Sequence, residues 1–154
     1  MIAIVPASVV HIGPLANRMR DIDALECAVA GRTPKQALRL SLASSALAWT
    51  AKVDGRVEAM MGVCSVSTIE GIGSPWMLMT DEAVRHPRAL VGTARVYLAQ
   101  MLARFPTLEN RVHAHNDVAI RWLMRLGFEI GPIDVINGQP MRGFRQCAIR
   151  SLLR

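Results

Sequence analysis

The sequence predicts an α+β domain, a mixed and mostly antiparallel central sheet flanked by helices, in the order β, α, α, β, β, β, α, β, α, β, β. Three stretches carry that prediction. Asp54-Gly55 stands between two extended apolar runs, the strongest short-range hairpin signal in a single sequence. Arg88–Phe105 repeats apolar residues at helical spacing for about five turns. Asn116–Phe128 reads as a short capped helix, with Asn116 or Asp117 as acceptor at its start and Gly127 at its end.

In chain order, Ile2–Pro6 is a short strand. Ser8 caps a helix from Val9 whose apolar face (Ile12, Leu15, Met19, Ile22, Leu25, Val29) runs to Gly31, with Gly13-Pro14 able to break off the first turn. Thr33-Pro34 starts a second helix through Leu42, which Ser44-Ser45 ends. Strands follow at Leu47–Val53, Val57–Ser67 and Trp76–Thr80, the last after a loop holding Gly71, Gly73 and Pro75, and read as three successive antiparallel strands. After the long helix come a strand at Val112–His115, the Asn116 helix, and a hairpin of Phe128–Ile136 and Arg142–Ile149 turning at Asn137-Gly138. One domain over residues 1–150 and a frayed tail over 151–154 complete the expectation.

Composition narrows the function classes. No apolar run reaches the roughly 20 residues of a membrane helix, and Met1–Val5 lacks the basic flank of a signal peptide, so no membrane association and a cytoplasmic location are expected. Cys27, Cys64 and Cys147 are odd in number and far apart, which favours reduced thiols and gives no metal-ligand pattern. The net charge of +6 is uneven: residues 1–82 hold seven basic and eight acidic side chains, residues 83–154 eleven and four. All eleven are arginine, whose planar fork matches phosphate oxygens. That field suits an anionic ligand or simply a solvated surface. One tyrosine and three scattered tryptophans offer no stacking platform, which argues against a nucleic-acid binder.

The spacing of Asn116, Ala119, Gly127 and Phe128 resembles the fourth-helix signature of the GNAT superfamily of acyl-CoA-dependent N-acyltransferases, and the element order matches the layout of that fold over essentially the whole chain. The resemblance implies a cleft where the fourth and fifth strands part, and acetyl-CoA as cosubstrate. It also implies a pyrophosphate-binding turn before the third helix of the family layout, which falls on Arg88-Ala89-Leu90-Val91-Gly92-Thr93-Ala94. Gly92 and Ala94 fit the last two motif positions, while Arg88 lies one residue out of register. A helix start would bind that group through unpaired N–H groups and the helix dipole. The residues so implied for cofactor binding are Met79, Thr80, Arg88, Gly92, Thr93, Ala94 and Asn116.

Transfer to an amine needs a proton acceptor and a proton for the leaving thiolate. The family's usual acid, a tyrosine seven residues after the Asn, falls on Leu123, and Tyr97 lies in the apolar stripe of the long helix. Asp81 and Glu82 at the end of the fourth strand, and His113 and His115 on one face of the fifth, are the catalytic candidates.

A looser resemblance rests on Trp76–Thr80, Met101–Leu108, Ile120–Leu123 with Leu126-Gly127, and Gly143–Gln146. These segments look like a small family of GNAT-like internal virion or virion-assembly proteins of short-tailed phages. Two functions follow as expectations. One is a divergent, phage-encoded N-acyltransferase taking acyl-CoA and an amine of a protein or small molecule. The other is a catalytically silent GNAT-fold protein of phage assembly or host interaction, in the host cytoplasm or the virion. Open strand edges would also allow a homodimer through the last hairpin.

Overall fold

The computed structural model describes residues 1–148. The expected tail over 151–154 and the last residue of the expected final strand, Ile149, lie outside them. Among the described residues seven strands form one sheet in the order β1-β2-β3-β4-β5-β7-β6, and the chain divides into two compact units, Met1–Cys64 with Trp76–Ala89, and Ser65–Pro75 with the chain from Leu90 onward.

The first unit begins with β1 (Ile2–Pro6), antiparallel to β2 (Ser45–Val53), which pairs antiparallel with β3 (Arg56–Ser67). The β2–β3 turn follows its sequence. Asp54 and Gly55 both take positive φ (48° and 83°), the two-residue geometry whose twist matches that of paired strands.

Helix α3 (Pro34–Ser44) starts with a full capping box: Thr33 accepts from the Gln36 N–H at 3.2 Å, and Gln36 reaches back to the Thr33 N–H at 3.0 Å. Ile12, Leu15, Cys27, Ala37, Leu38, Val57, Met60 and Leu78 close the core of this unit.

One expected helix is broken. Instead of a continuous helix from Val9 to Val29, there is a 3-10 turn at Val9–His11, α1 (Ile12–Ala16) and α2 (Asp21–Val29). Gly13 and Pro14 lie inside α1, where a first-turn proline forfeits no helical bond. The break falls at residues 17–20, where the chain turns at Asn17 and Arg18 and Met19 pairs with Thr80 in an antiparallel bridge. A long-range main-chain pairing here overrides a regular helical stripe.

Strand β4 (Ile72–Met79) also departs from expectation, because it runs through Gly73 and Pro75 instead of starting after them. Strand β5 is Thr107–His113, earlier than expected, and pairs in parallel with β4 at Ile72↔Thr107 and Gly73↔Leu108. Two residues further on, Asn110 Nδ2 donates to the Pro75 carbonyl at 2.8 Å, so a side chain serves where a ladder would use main chain. Proline has no N–H to give a neighbouring strand, which is why a strand tolerates it only where pairing lapses.

In the second unit β5 pairs antiparallel with β7 (Gln139–Cys147), and β7 with β6 (Glu129–Ile136), again through a two-residue turn with both Asn137 and Gly138 at positive φ. Helix α5 (Pro87–Arg104) begins in the first unit and continues into this one. Helix α6 (Asp117–Arg125) is capped by Asn116, whose Oδ1 accepts from the Ala119 N–H at 3.3 Å. It ends in a Schellman motif: the Gly127 N–H donates to Met124 and the Phe128 N–H to Leu123, with Gly127 at φ 94°. Phe128 then meets Phe144 edge to face, ring centres 5.2 Å apart.

Candidate functional site

Met79, the last residue of β4, has both main-chain groups engaged within the first unit. Its N–H donates to Oδ2 of Asp23 at 2.9 Å, and its carbonyl accepts from the Arg20 N–H at 3.0 Å. The Thr80 N–H donates to the Glu58 carbonyl in β3 at 2.9 Å. Adjacent residues of a strand direct their main-chain groups to opposite edges, so segment 19–23 lies along the edge of β4 that faces away from β3. Asp23 is 2% exposed, and Arg20 Nη1 stands 3.9 Å from it.

Glu58 joins these pieces. The β2–β3 register steps from Ala51↔Ala59 to Lys52↔Val57, which leaves Glu58 as the extra residue of a bulge, a device that re-aims a side chain. Its buried carboxylate accepts from Arg18 Nη2 at 2.8 Å on both oxygens and from the Thr80 hydroxyl. Thr80 Oγ1 in turn accepts from the Ala83 N–H and caps α4 (Asp81–Val84).

Asp81 and Glu82 therefore do not end a strand but open this four-residue helix. Asp81 is exposed, while Glu82 lies 3.5 Å from Arg85 and 3.3 Å from His86. The stretch expected as a turn is helical too. Pro87 starts α5, Arg88 sits exposed in its first turn, and Gly92, Thr93 and Ala94 occupy the next. A Cβ added at Gly92 would meet nothing within 4 Å.

In the second unit His113 ends β5, whereas His115 lies beyond the strand in the turn before α6, so the two do not alternate along one strand face. They are nonetheless brought together, ring centres 5.3 Å apart. The buried His113 accepts the His115 N–H on Nδ1 at 3.1 Å, and its Nε2 lies 2.8 Å from Gln139 Oε1. A main-chain N–H can only donate, so in the neutral ring the proton sits on Nε2 and the one lone pair is occupied. His115 is exposed; Asn116, 2% exposed, donates its own N–H to the His113 carbonyl at 3.0 Å.

Sequence reasoning missed Arg18, Arg20, Asp23, Glu58 and His11. In the helix expected from Val9, Asp23 falls mid-way along and outside the apolar stripe, where it reads as a solvated charge. Glu58 did carry a signal, as the single carboxylate in the apolar run Val57–Val63. His11 Nδ1 accepts the Ser8 N–H at 3.2 Å and lies 2.9 Å from Thr50 Oγ1; burial first, and Lys52 second, hold its pKa below the ordinary histidine value. Among the described residues no group of three or more His, Cys, Asp or Glu is placed to hold a metal ion, and no helix is long and apolar enough to cross a membrane.

No family model matches the sequence, and no curated protein matches it significantly. Solved structures do. A chimera of the spermidine N-acetyltransferase SpeG from Vibrio cholerae and hSSAT superposes with a TM-score of 0.73 at 10% identity, covering 99% of each chain. The chain has the GNAT fold. An aminoglycoside acetyltransferase in complex with coenzyme A gives a TM-score of 0.69 at 13% identity over 100% of both chains. The ribosomal-protein-S18-alanine N-acetyltransferase from Escherichia coli gives 0.68 at 15%, over 96% of this chain and 94% of that one. The GNAT fold here thus persists where sequence identity has fallen to a tenth, and what it shows is architecture.

Proposed function

We propose that the chain is a divergent N-acyltransferase that moves an acetyl group from acetyl-CoA to an amine of a protein or small molecule. The observation that carries the reading is the full-length agreement of its fold with acetyltransferases, among them structures solved with coenzyme A and with coenzyme A and spermine. On this reading one GNAT-like domain spans residues 1–150. The start of α5 offers phosphates a helix N-terminus with Arg88, and the next turn carries the candidates Gly92, Thr93 and Ala94, of which Gly92 is open to close approach. In the first unit the main chain of Met79 and Thr80 would hold the acyl arm; in the second unit Asn116 is a separate binding candidate.

In the reaction the amine nitrogen attacks the thioester carbonyl; the C–N bond forms, the C–S bond breaks, and coenzyme A leaves as its thiolate. With Leu123 in place of an acid, water protonates the departing thiolate. Of the four candidates for the amine's proton, Asp81 and His115 are exposed and reached by water. Glu82 is shared with Arg85 and His86, and the lone pair of His113 is taken.

Calorimetric titration of acetyl-CoA, with free coenzyme A in parallel, tests the reading. Saturable binding that Gly92→Glu abolishes supports it. Absence of binding at millimolar ligand, in the wild type and in variants altered along the β4 edge, rejects it.

A second reading, a catalytically silent scaffold for phage assembly or host interaction in the host cytoplasm or virion, is favoured by Leu123 and by the engaged main chain of Met79. It predicts a stable phage or host partner in pull-downs and no thiol release from acetyl-CoA.

A further inference from the structure

The main-chain groups of Met79 that the acyltransferase reading assigns to the cosubstrate are already bonded inside the chain, to the Asp23 carboxylate at 2.9 Å and the Arg20 N–H at 3.0 Å. We propose that residues 19–23 form a strap seated on the outer edge of β4, and that an acyl-CoA enters by displacing it. This inference rests on the acyltransferase reading.

The strap is built from specific contacts. Met19 pairs with Thr80 as a single antiparallel bridge, and Arg20, the residue before α2, has the polyproline-like dihedrals φ −56° and ψ 144°. The Ala24 N–H donates to the Arg20 carbonyl at 2.9 Å, and the last three residues of the strap, Asp21 to Asp23, are themselves the first turn of α2, so lifting the strap unwinds that turn. On its other side Arg18 is held by Glu58. The anchors therefore differ in kind. Glu58 fixes Arg18 at the bulge of β3, whereas the edge of β4 is held by two main-chain bonds of Met79 and one bridge. An acyl arm with an amide or thioester carbonyl presents the same acceptor to the Met79 N–H that the Asp23 carboxylate does. Strap and ligand then compete for one N–H, and the ligand's apparent affinity is reduced by the fraction of molecules with the strap down.

The test is acetyl-CoA titration of the full-length wild type, Asp23→Ala and Asp23→Asn, with amide hydrogen exchange followed in each. Asp23→Ala removes the acceptor; Asp23→Asn keeps a side-chain carbonyl that still accepts from Met79. The Asn variant thus separates loss of the strap from a general fault in α2, and exchange protection of Leu38 and Met60 in the core reports that each variant is folded.

The strap requires acetyl-CoA to bind Asp23→Ala about tenfold tighter than wild type, and Asp23→Asn within about twofold of it. In the wild type, bound acetyl-CoA should deprotect the Arg20 and Ala24 amides while the Met79 amide stays protected. Binding that leaves Arg20 and Ala24 as protected as before overturns the strap and leaves the acyltransferase reading standing. No binding to the wild type but saturable binding to Asp23→Ala supports it. No binding to any of the three, all folded, overturns the strap and rejects the acyltransferase reading with it.

Discussion

Arg18 grips Glu58 with one guanidinium nitrogen, Nη2, which donates to both carboxylate oxygens at 2.8 Å, while Nη1 donates to the Val57 carbonyl at 3.3 Å. The Glu58 side chain is 2% exposed and that of Arg18 33%. Removing one partner of a buried pair strands the other charge, and Arg18→Ala is expected to cost about 3 kcal/mol of unfolding free energy in a urea titration. Arg56, 68% exposed and 4.0 Å away, should cost no more than about 0.5 kcal/mol when changed to alanine. Equal losses would mean that Glu58 is stabilised by the surrounding charge and not by the Arg18 contact.

Gly92 lies exposed in the second turn of α5, where an added Cβ touches nothing. Glycine inside a helix costs about 0.5–1 kcal/mol relative to alanine. Gly92→Ala should therefore raise the melting temperature. Gly92→Glu should keep the fold, so that lost acetyl-CoA binding in that variant reads out the added negative charge. A lower melting temperature for Gly92→Ala would contradict the open surroundings of this residue.

His11 gives stability a pH dependence of known sign. Its folded pKa lies below the unfolded value of 6.5, so between the two the unfolded chain binds more protons and stability rises with pH. As pH falls from 7 through 6.5, the contribution is progressively lost until the folded pKa is passed. Urea midpoints at pH 7.5 and 5.5 should differ more for the wild type than for His11→Gln; equal differences would assign the slope elsewhere.

Cys27 is 5% exposed, and burial, followed by Asp23 and Glu26, pushes its pKa up to about 11. The thiolate is the reactive form, so iodoacetamide at pH 8 should leave Cys27 unlabelled in the folded protein and modify it on unfolding in urea. Labelling of native Cys27, read by peptide mass, would contradict this burial.

The local elements were legible because neighbouring residues determine them. Asp54-Gly55 and Asn137-Gly138 form two-residue turns with positive φ, Thr33 and Gln36 make a capping box, and Asn116 and Gly127 bound α6. Their order, with the spacing of Asn116, Ala119, Gly127 and Phe128, carried the resemblance to the GNAT fold that the solved structures share.

What went unread depended on partners distant in sequence. The apolar stripe from Ile12 to Val29 suits one helix, yet residues 17–20 leave it because Met19 and Arg20 gain main-chain partners in Thr80 and Met79. Pro75 looks like a loop residue, and only a strand ladder that lapses beside it makes it tolerable within β4. The sequence by itself determined the turns, the caps and the succession of elements, since those energies lie within a few residues. Tertiary structure alone decided that the Asp23 carboxylate meets the Met79 N–H and that Glu58 collects Arg18 and Thr80, because a buried charge takes whatever donors the folded chain brings to it.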